Sequence, residues 1–92
     1  MKHKATPKFW ALHNVLPKDI QMAAAKAFAL LKADPRHPSQ QFKKLSGTEI
    51  WSARINDNFR AVAVESGSRF FWIWIGSHAE YNLVIRGKRK II

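Results

Sequence analysis

The 92-residue chain contains no cysteine, four glycines, one tyrosine and six acidic residues, and its longest aromatic and aliphatic run covers only Phe70 to Ile75. Each shortage removes a class of answer. Without cysteine there is no disulfide framework and no thiol nucleophile, which suits a reducing, cytoplasmic setting. That apolar run is far below the roughly 18 residues that span a membrane, and the opening MKHKATPK has no apolar signal core, so no membrane association is expected. The glycines make no phosphate-binding loop, no Ser/His/Asp arrangement stands out, and no second histidine lies at metal-ligand spacing from His37. Neither a metal nor a cofactor is expected.

The shortage of acid is the most informative. Sixteen Lys and Arg against six Asp and Glu give a net charge of +10, and removing the four cations Arg86, Lys88, Arg89 and Lys90 of the C-terminal tail still leaves +6 (10 − 4). Such a field favours a polyanion, either nucleic acid or an acidic protein. Four Trp and six Phe supply a large apolar core for one domain spanning residues 1–92, without disulfide or metal staples.

Taken in order, a basic arm leads to Thr6-Pro7, an N-cap and first-turn proline that start a helix carrying Phe9, Leu12 and Leu16. Pro17 breaks it and opens a second helix to about Ala33 or Asp34, with the apolar stripe Ile20, Ala24, Ala27, Phe28 and Leu31. From Phe42 the periodicity becomes two. Strands are expected at 42–45, 49–56, 59–65 and 70–75, with turns at Ser46-Gly47-Thr48, at Asp57 and at Gly67, then a short helix from about His78 to Ile85. The predicted fold is α+β: a helical hairpin on one face of a small antiparallel β-meander, closed by a short C-terminal helix, with the basic tail 86–92 loose at its end.

A turn centred on Asp57 sets Ala53 against Ala61 and Trp51 against Ala63, keeping apolar pairs together. A turn centred on Gly67 pairs Glu65 with Arg69. One face then carries Trp51, Ala53, Ile55, Phe59, Ala61, Ala63, Phe71, Ile73 and Ile75. The other carries Ser52, Arg54, Arg60, Val62, Val64, Phe70, Trp72 and Trp74. Arg54 and Arg60 become cross-strand neighbours, with Trp74 opposite Arg60 as a ring on which a base could stack. His78, Glu80 and Tyr81 follow the glycine that ends the aromatic strand. Guanidiniums beside proton-transfer groups suit cleavage of RNA by its own 2′-hydroxyl. The alternative pairs the arginines with Glu49, Asp57 or Glu80 and makes the tryptophans core, covered by the C-terminal segment.

The ordered set LPKDIQ, DPRHPS, FKKL, WSARINDNFRAV and WIWIGSHAEY resembles the RelE/ParE superfamily of bacterial type II toxin-antitoxin toxins, in particular its RelE-like branch, over about residues 6–85. The resemblance implies a microbial RNase-like domain that cuts mRNA on the ribosome and inhibits translation. It also implies an acidic cognate antitoxin, with operator DNA bound only through the antitoxin complex. Carried over residue by residue, Arg54 takes the middle-strand position and Arg60, after Phe59, the phosphate-stabilising one. His78 follows the glycine turn and Tyr81 is the C-terminal aromatic, and the general base is left open between them. Lys43 and Lys44 hold the RNA backbone, with Trp74 and Arg86 as further RNA-binding candidates. Ser52 departs from relatives that carry a second lysine there. ParE-like members of the superfamily inhibit DNA gyrase and need none of the four catalytic candidates, and a toxin-like chain that has lost activity is a third reading.

Overall fold

A computed structural model describes residues 2–86. Lys88, Arg89 and Lys90, expected in a loose tail, lie outside the described residues. Within them the chain runs β1 (Lys2–Ala5), α1 (Pro7–Asn14), α2 (Lys18–Ala33), a 3₁₀ turn (Pro38–Gln40), β2 (Lys43–Lys44), β3 (Ile50–Arg54), β4 (Phe59–Ser66), β5 (Arg69–Ser77) and α3 (His78–Ile85). The strands form one sheet in the order β1-β5-β4-β3-β2.

Local chemistry explains the helix ends. The backbone N–H of Phe9 donates to Thr6 Oγ1 at 3.2 Å, capping α1. Pro17 precedes α2, and Asp19 stands in its first turn, where a negative charge meets the positive end of the helix dipole. Ser77 caps α3 by accepting from Glu80 N at 3.2 Å, and its hydroxyl donates to Glu80 Oε1 at 3.4 Å.

The expected meander is corrected at one edge. The basic arm pairs with β5 as a parallel strand, His3 against Phe70 and Ala5 against Trp72, so the sheet is mixed. What holds this edge is aromatic: the His3 ring stacks 5.4 Å from Phe70, and Trp72 Nε1 donates to His3 Nδ1 at 3.0 Å. Between β3 and β4 the register is the expected one, with Trp51 against Ala63, Ala53 against Ala61 and Arg54 against Arg60.

Between β4 and β5 the expected register is off. Gly67 and Ser68 make a two-residue hairpin loop in which Gly67 takes φ +61°, so Ser66 faces Arg69 and Glu65 faces Phe70. A bulge then shifts the ladder: Ala63 faces Trp72 but Val62 faces Trp74, leaving Ile73 over. This slip turns Phe70 and Trp72 onto the helical face and keeps Trp74 on the other. Gly76, not Trp74, therefore lies opposite Arg60.

Two apolar clusters result. On the helical side Phe9, Ala24, Ala27 and Leu31 pack on Ala53, Ala61, Ala63, Phe70, Trp72 and Ile75. The alanines let the hairpin approach, and Phe28 meets Trp72 edge-on at 4.8 Å. On the opposite side Tyr81 and Val84 of α3 cover Val62 and Trp74. Burying each such large side chain stabilises by about 1.5–3 kcal/mol. Gly76 leaves room for this second cluster, since a Cβ there would lie 2.6 Å from Cζ2 and 2.8 Å from Cη2 of Trp74.

Candidate active site

On the α3 side of the sheet a cleft of about 140 Å³ is lined by Gln41, Lys43, Ser52, Arg54, Arg60, His78 and Tyr81. Alternation along the strands builds it. Lys43 faces Ser52 across β2 and β3, Arg54 faces Arg60 across β3 and β4, and the capped start of α3 sets His78 and Tyr81 above them. The backbone N–H of His78 donates to Asn58 O at 2.7 Å, tying α3 to the β3–β4 turn. The His78 and Tyr81 rings stand 6.0 Å apart, centre to centre. Ser52 is buried at the floor.

The facing guanidiniums repel each other, and the turn between their strands relieves this. Arg54 Nη2 pairs with Asp57 Oδ1, and its Nη1 donates to Ser39 O at 3.3 Å. Arg60 Nη1 donates to the carbonyls of Asn56 at 2.6 Å and Phe59 at 3.0 Å. Burial first, and then Arg54, press the Arg60 pKa downward, with Tyr81 and Asp57 acting the other way. An incoming phosphate would offset the repulsion between the two guanidiniums.

The four catalytic candidates, Arg54, Arg60, His78 and Tyr81, thus line one cleft together with Lys43. Other expected residues lie elsewhere. Lys44, one residue on, points to the other face of the sheet, where its Nζ lies 3.7 Å from Glu49 and 3.9 Å from Glu65. Trp74 is 7% exposed, so the expected open stacking ring is replaced by a core side chain under α3. Arg86 is exposed at the C-terminal end of α3 and does not line the cleft. Glu80 does not line the cleft; its carboxylate accepts from the Ser77 hydroxyl in the first turn of α3. Gln41 was not among the candidates: nothing in its type or spacing marks it, and only its backbone, at φ 44°, sets it apart. Among the described residues no three His, Cys, Asp or Glu side chains gather as a metal would need, and no helix is long and apolar enough to cross a membrane.

A second, larger groove of about 870 Å³ runs on the helical side between α1, α2 and β1. Ala24, Ala25, Phe28, Ala29 and Trp72 line it with the exposed Trp10 and Met22, while Lys4, Lys18 and Lys32 also border it and no acidic residue does. It shares no lining residue with the cleft.

Residues 18–83 match the ParE-like toxin domain family. Among solved structures, the YoeB/ParE toxin from Agrobacterium tumefaciens superposes with a TM-score of 0.67 at 24% identity, covering 85% of this chain and 99% of that one. The isolated E. coli RelE toxin gives a TM-score of 0.62 at 15% identity, with 92% and 96% covered. The archaeal RelE of the RelE-RelB complex from Pyrococcus horikoshii gives 0.64 at 17%, with 83% and 92% covered. At these identities the likeness is one of fold. No curated protein matches the chain.

Proposed function

From the premise that this chain belongs to the ParE-like toxin family of the RelE/ParE superfamily, we propose that it is a ribosome-dependent mRNA endonuclease that stops translation. The observation that carries the reading is the convergence of Arg54, Arg60, His78 and Tyr81 on one cleft. In this reading the RNA 2′-oxygen attacks the adjacent phosphorus as a base removes its proton, the P–O5′ bond breaks, and an acid protonates the leaving oxygen. Arg60, held by backbone carbonyls, and Arg54, across the ladder, face the phosphate oxygens where charge accumulates. His78, exposed where α3 meets the cleft, serves as base. The phenol of Tyr81, buried beside Arg60, is the acid, and Lys43 holds the RNA backbone at the rim. Residues 1–92 act as one domain in the cytoplasm, without metal or cofactor.

The partner that keeps such a domain silent is an acidic antitoxin. RelE-RelB from Pyrococcus horikoshii and DinJ-YafQ from E. coli are toxin-antitoxin complexes of this fold, and the lysine-rimmed, acid-free groove along α2 suits an amphipathic acidic helix. Operator DNA is then bound through the antitoxin alone.

The ParE-like family match favours a second reading, inhibition of DNA gyrase, which would require no nuclease cleft. Arg60→Ala separates the two. In cells producing the chain, growth arrest should vanish under the nuclease reading, because removing one transition-state donor costs on the order of 10²–10³ in rate. Full toxicity of the variant, with mRNA intact, would favour gyrase.

A further inference from the structure

We propose that Gln41 is a specificity-determining residue of this cleft: its side-chain amide reads the edge of a nucleotide beside the cut and biases which codons are cleaved. The inference rests on the nuclease reading and deepens it.

Gln41 is the one described non-glycine residue with positive φ, at 44°. The other described positive φ angles belong to Gly47 and Gly67, both in turns, where the absence of Cβ makes the conformation cheap. A glutamine there is strained, and strained backbone that survives tends to gather at sites of function. The fold imposes the angle: the chain must leave the 3₁₀ turn, where Gln41 N–H donates to Pro38 O at 3.2 Å, and enter β2 two residues later. It does not impose the side chain, because glycine would meet the backbone demand better.

The side chain also has no structural employment. Its neighbour Gln40 is buried, with its amide nitrogen donating to Ser39 Oγ at 3.1 Å. Gln41 itself is exposed, lines the cleft beside Lys43, Arg54 and Arg60, and its amide makes no hydrogen bond within the described residues. The chemistry fits a reading role. Guanidinium and ammonium groups engaged with phosphate carry no sequence information, so Arg54, Arg60 and Lys43 so engaged leave base reading to another side chain. An amide presents a donor and an acceptor side by side, the pattern that pairs with a base edge, adenine most readily. Single-stranded RNA exposes those edges.

The test uses the full-length chain, purified translating ribosomes and a reporter mRNA covering all sense codons, read by primer extension, together with thermal unfolding. Gln41→Gly relieves the backbone and removes the amide. It should melt at the same temperature or higher, yet the ratio of cutting between preferred and disfavoured codons should shrink about tenfold, the scale of one lost bidentate contact. Gln41→Ala, which keeps the strain but not the amide, should flatten the codon profile equally, and Gln41→Asn, with a shorter amide, should shift it. An unchanged codon profile in Gln41→Gly, with cutting otherwise intact, would overturn the proposal while leaving the nuclease reading standing. A Gln41→Gly protein that melts lower would overturn the strain argument beneath it. No cutting by the unsubstituted chain would remove both.

Discussion

Replacing Gly76 by alanine puts a methyl group 2.6 Å from Cζ2 and 2.8 Å from Cη2 of Trp74. Carbon atoms rest about 3.5–4.0 Å apart, so the indole must withdraw by about 1 Å. It has little room, since Trp74 is 7% exposed and packed with Val62, Tyr81 and Val84. Forcing one methyl into a filled core costs roughly 1–3 kcal/mol, and each kcal/mol lowers the melting temperature of a domain this size by about 4–8 °C. Urea unfolding at 25 °C, followed by tryptophan emission, reads the loss directly. The displaced indole also pushes Tyr81, a lining residue of the cleft, so RNA cutting should fall further than the unfolded fraction explains. Gly47→Ala is the control: its φ is +76° but nothing lies within 4 Å, so it should cost about 1–2 kcal/mol of backbone strain alone and leave the native emission unchanged. Gly76→Ala within about 0.5 kcal/mol of the unsubstituted chain, with native emission and activity intact, would refute the packing argument.

The other expected outcomes follow from the opposite side of the sheet. Burial, and then Lys32, hold the His3 pKa below its ordinary 6.5, and protonation would remove the acceptor of the Trp72 N–H. As pH falls below 6.5 the unfolded chain takes up this proton before the folded one. The stability from neutral His3 is therefore complete above that pH and is lost as pH falls toward the depressed folded value. Urea midpoints between about pH 8 and 5 should decline more steeply for the unsubstituted chain than for His3→Gln; parallel declines would contradict this. In the groove, Ala29→Glu sets a carboxylate on the exposed floor, and should weaken binding of the proposed acidic antitoxin about tenfold or more by titration calorimetry while leaving the proposed RNA cutting unchanged. Equal affinity would place the partner elsewhere.

Much of the site could be read before the fold was known, because small and large apolar residues constrain a two-stranded register. Matching Ala53 to Ala61 and Trp51 to Ala63 forces Arg54 onto Arg60, whatever the rest of the sheet does. The β5 register resists the same argument. Phe70 to Ile75 are all apolar, so either alternation satisfies the core, and nothing in their order marks the bulge at Ile73. For that reason the expected alternation sets Phe70 and Trp72 on the wrong face and Trp74, on the right face, against Arg60 instead of Val62; that α3 covers Trp74 is a tertiary event on which periodicity is silent. Strand β1 escaped notice because only His3 and Ala5 turn inward among flanking lysines, and its partner lies 67 residues downstream. Lys43 and Lys44 look equivalent in sequence but alternate in a strand, so one reaches the cleft and the other pairs with Glu49 and Glu65. Gln41 had no signal at all, since a left-handed backbone announces itself in sequence through glycine.

The most direct test of the central reading is primer extension on an mRNA under translation in a purified system, with the chain added at increasing concentration, a parallel reaction without ribosomes, and Arg60→Ala beside the unsubstituted protein. The account predicts codon-phased cuts that need both ribosomes and Arg60. Intact mRNA in every reaction, or cuts that persist in Arg60→Ala, would contradict it.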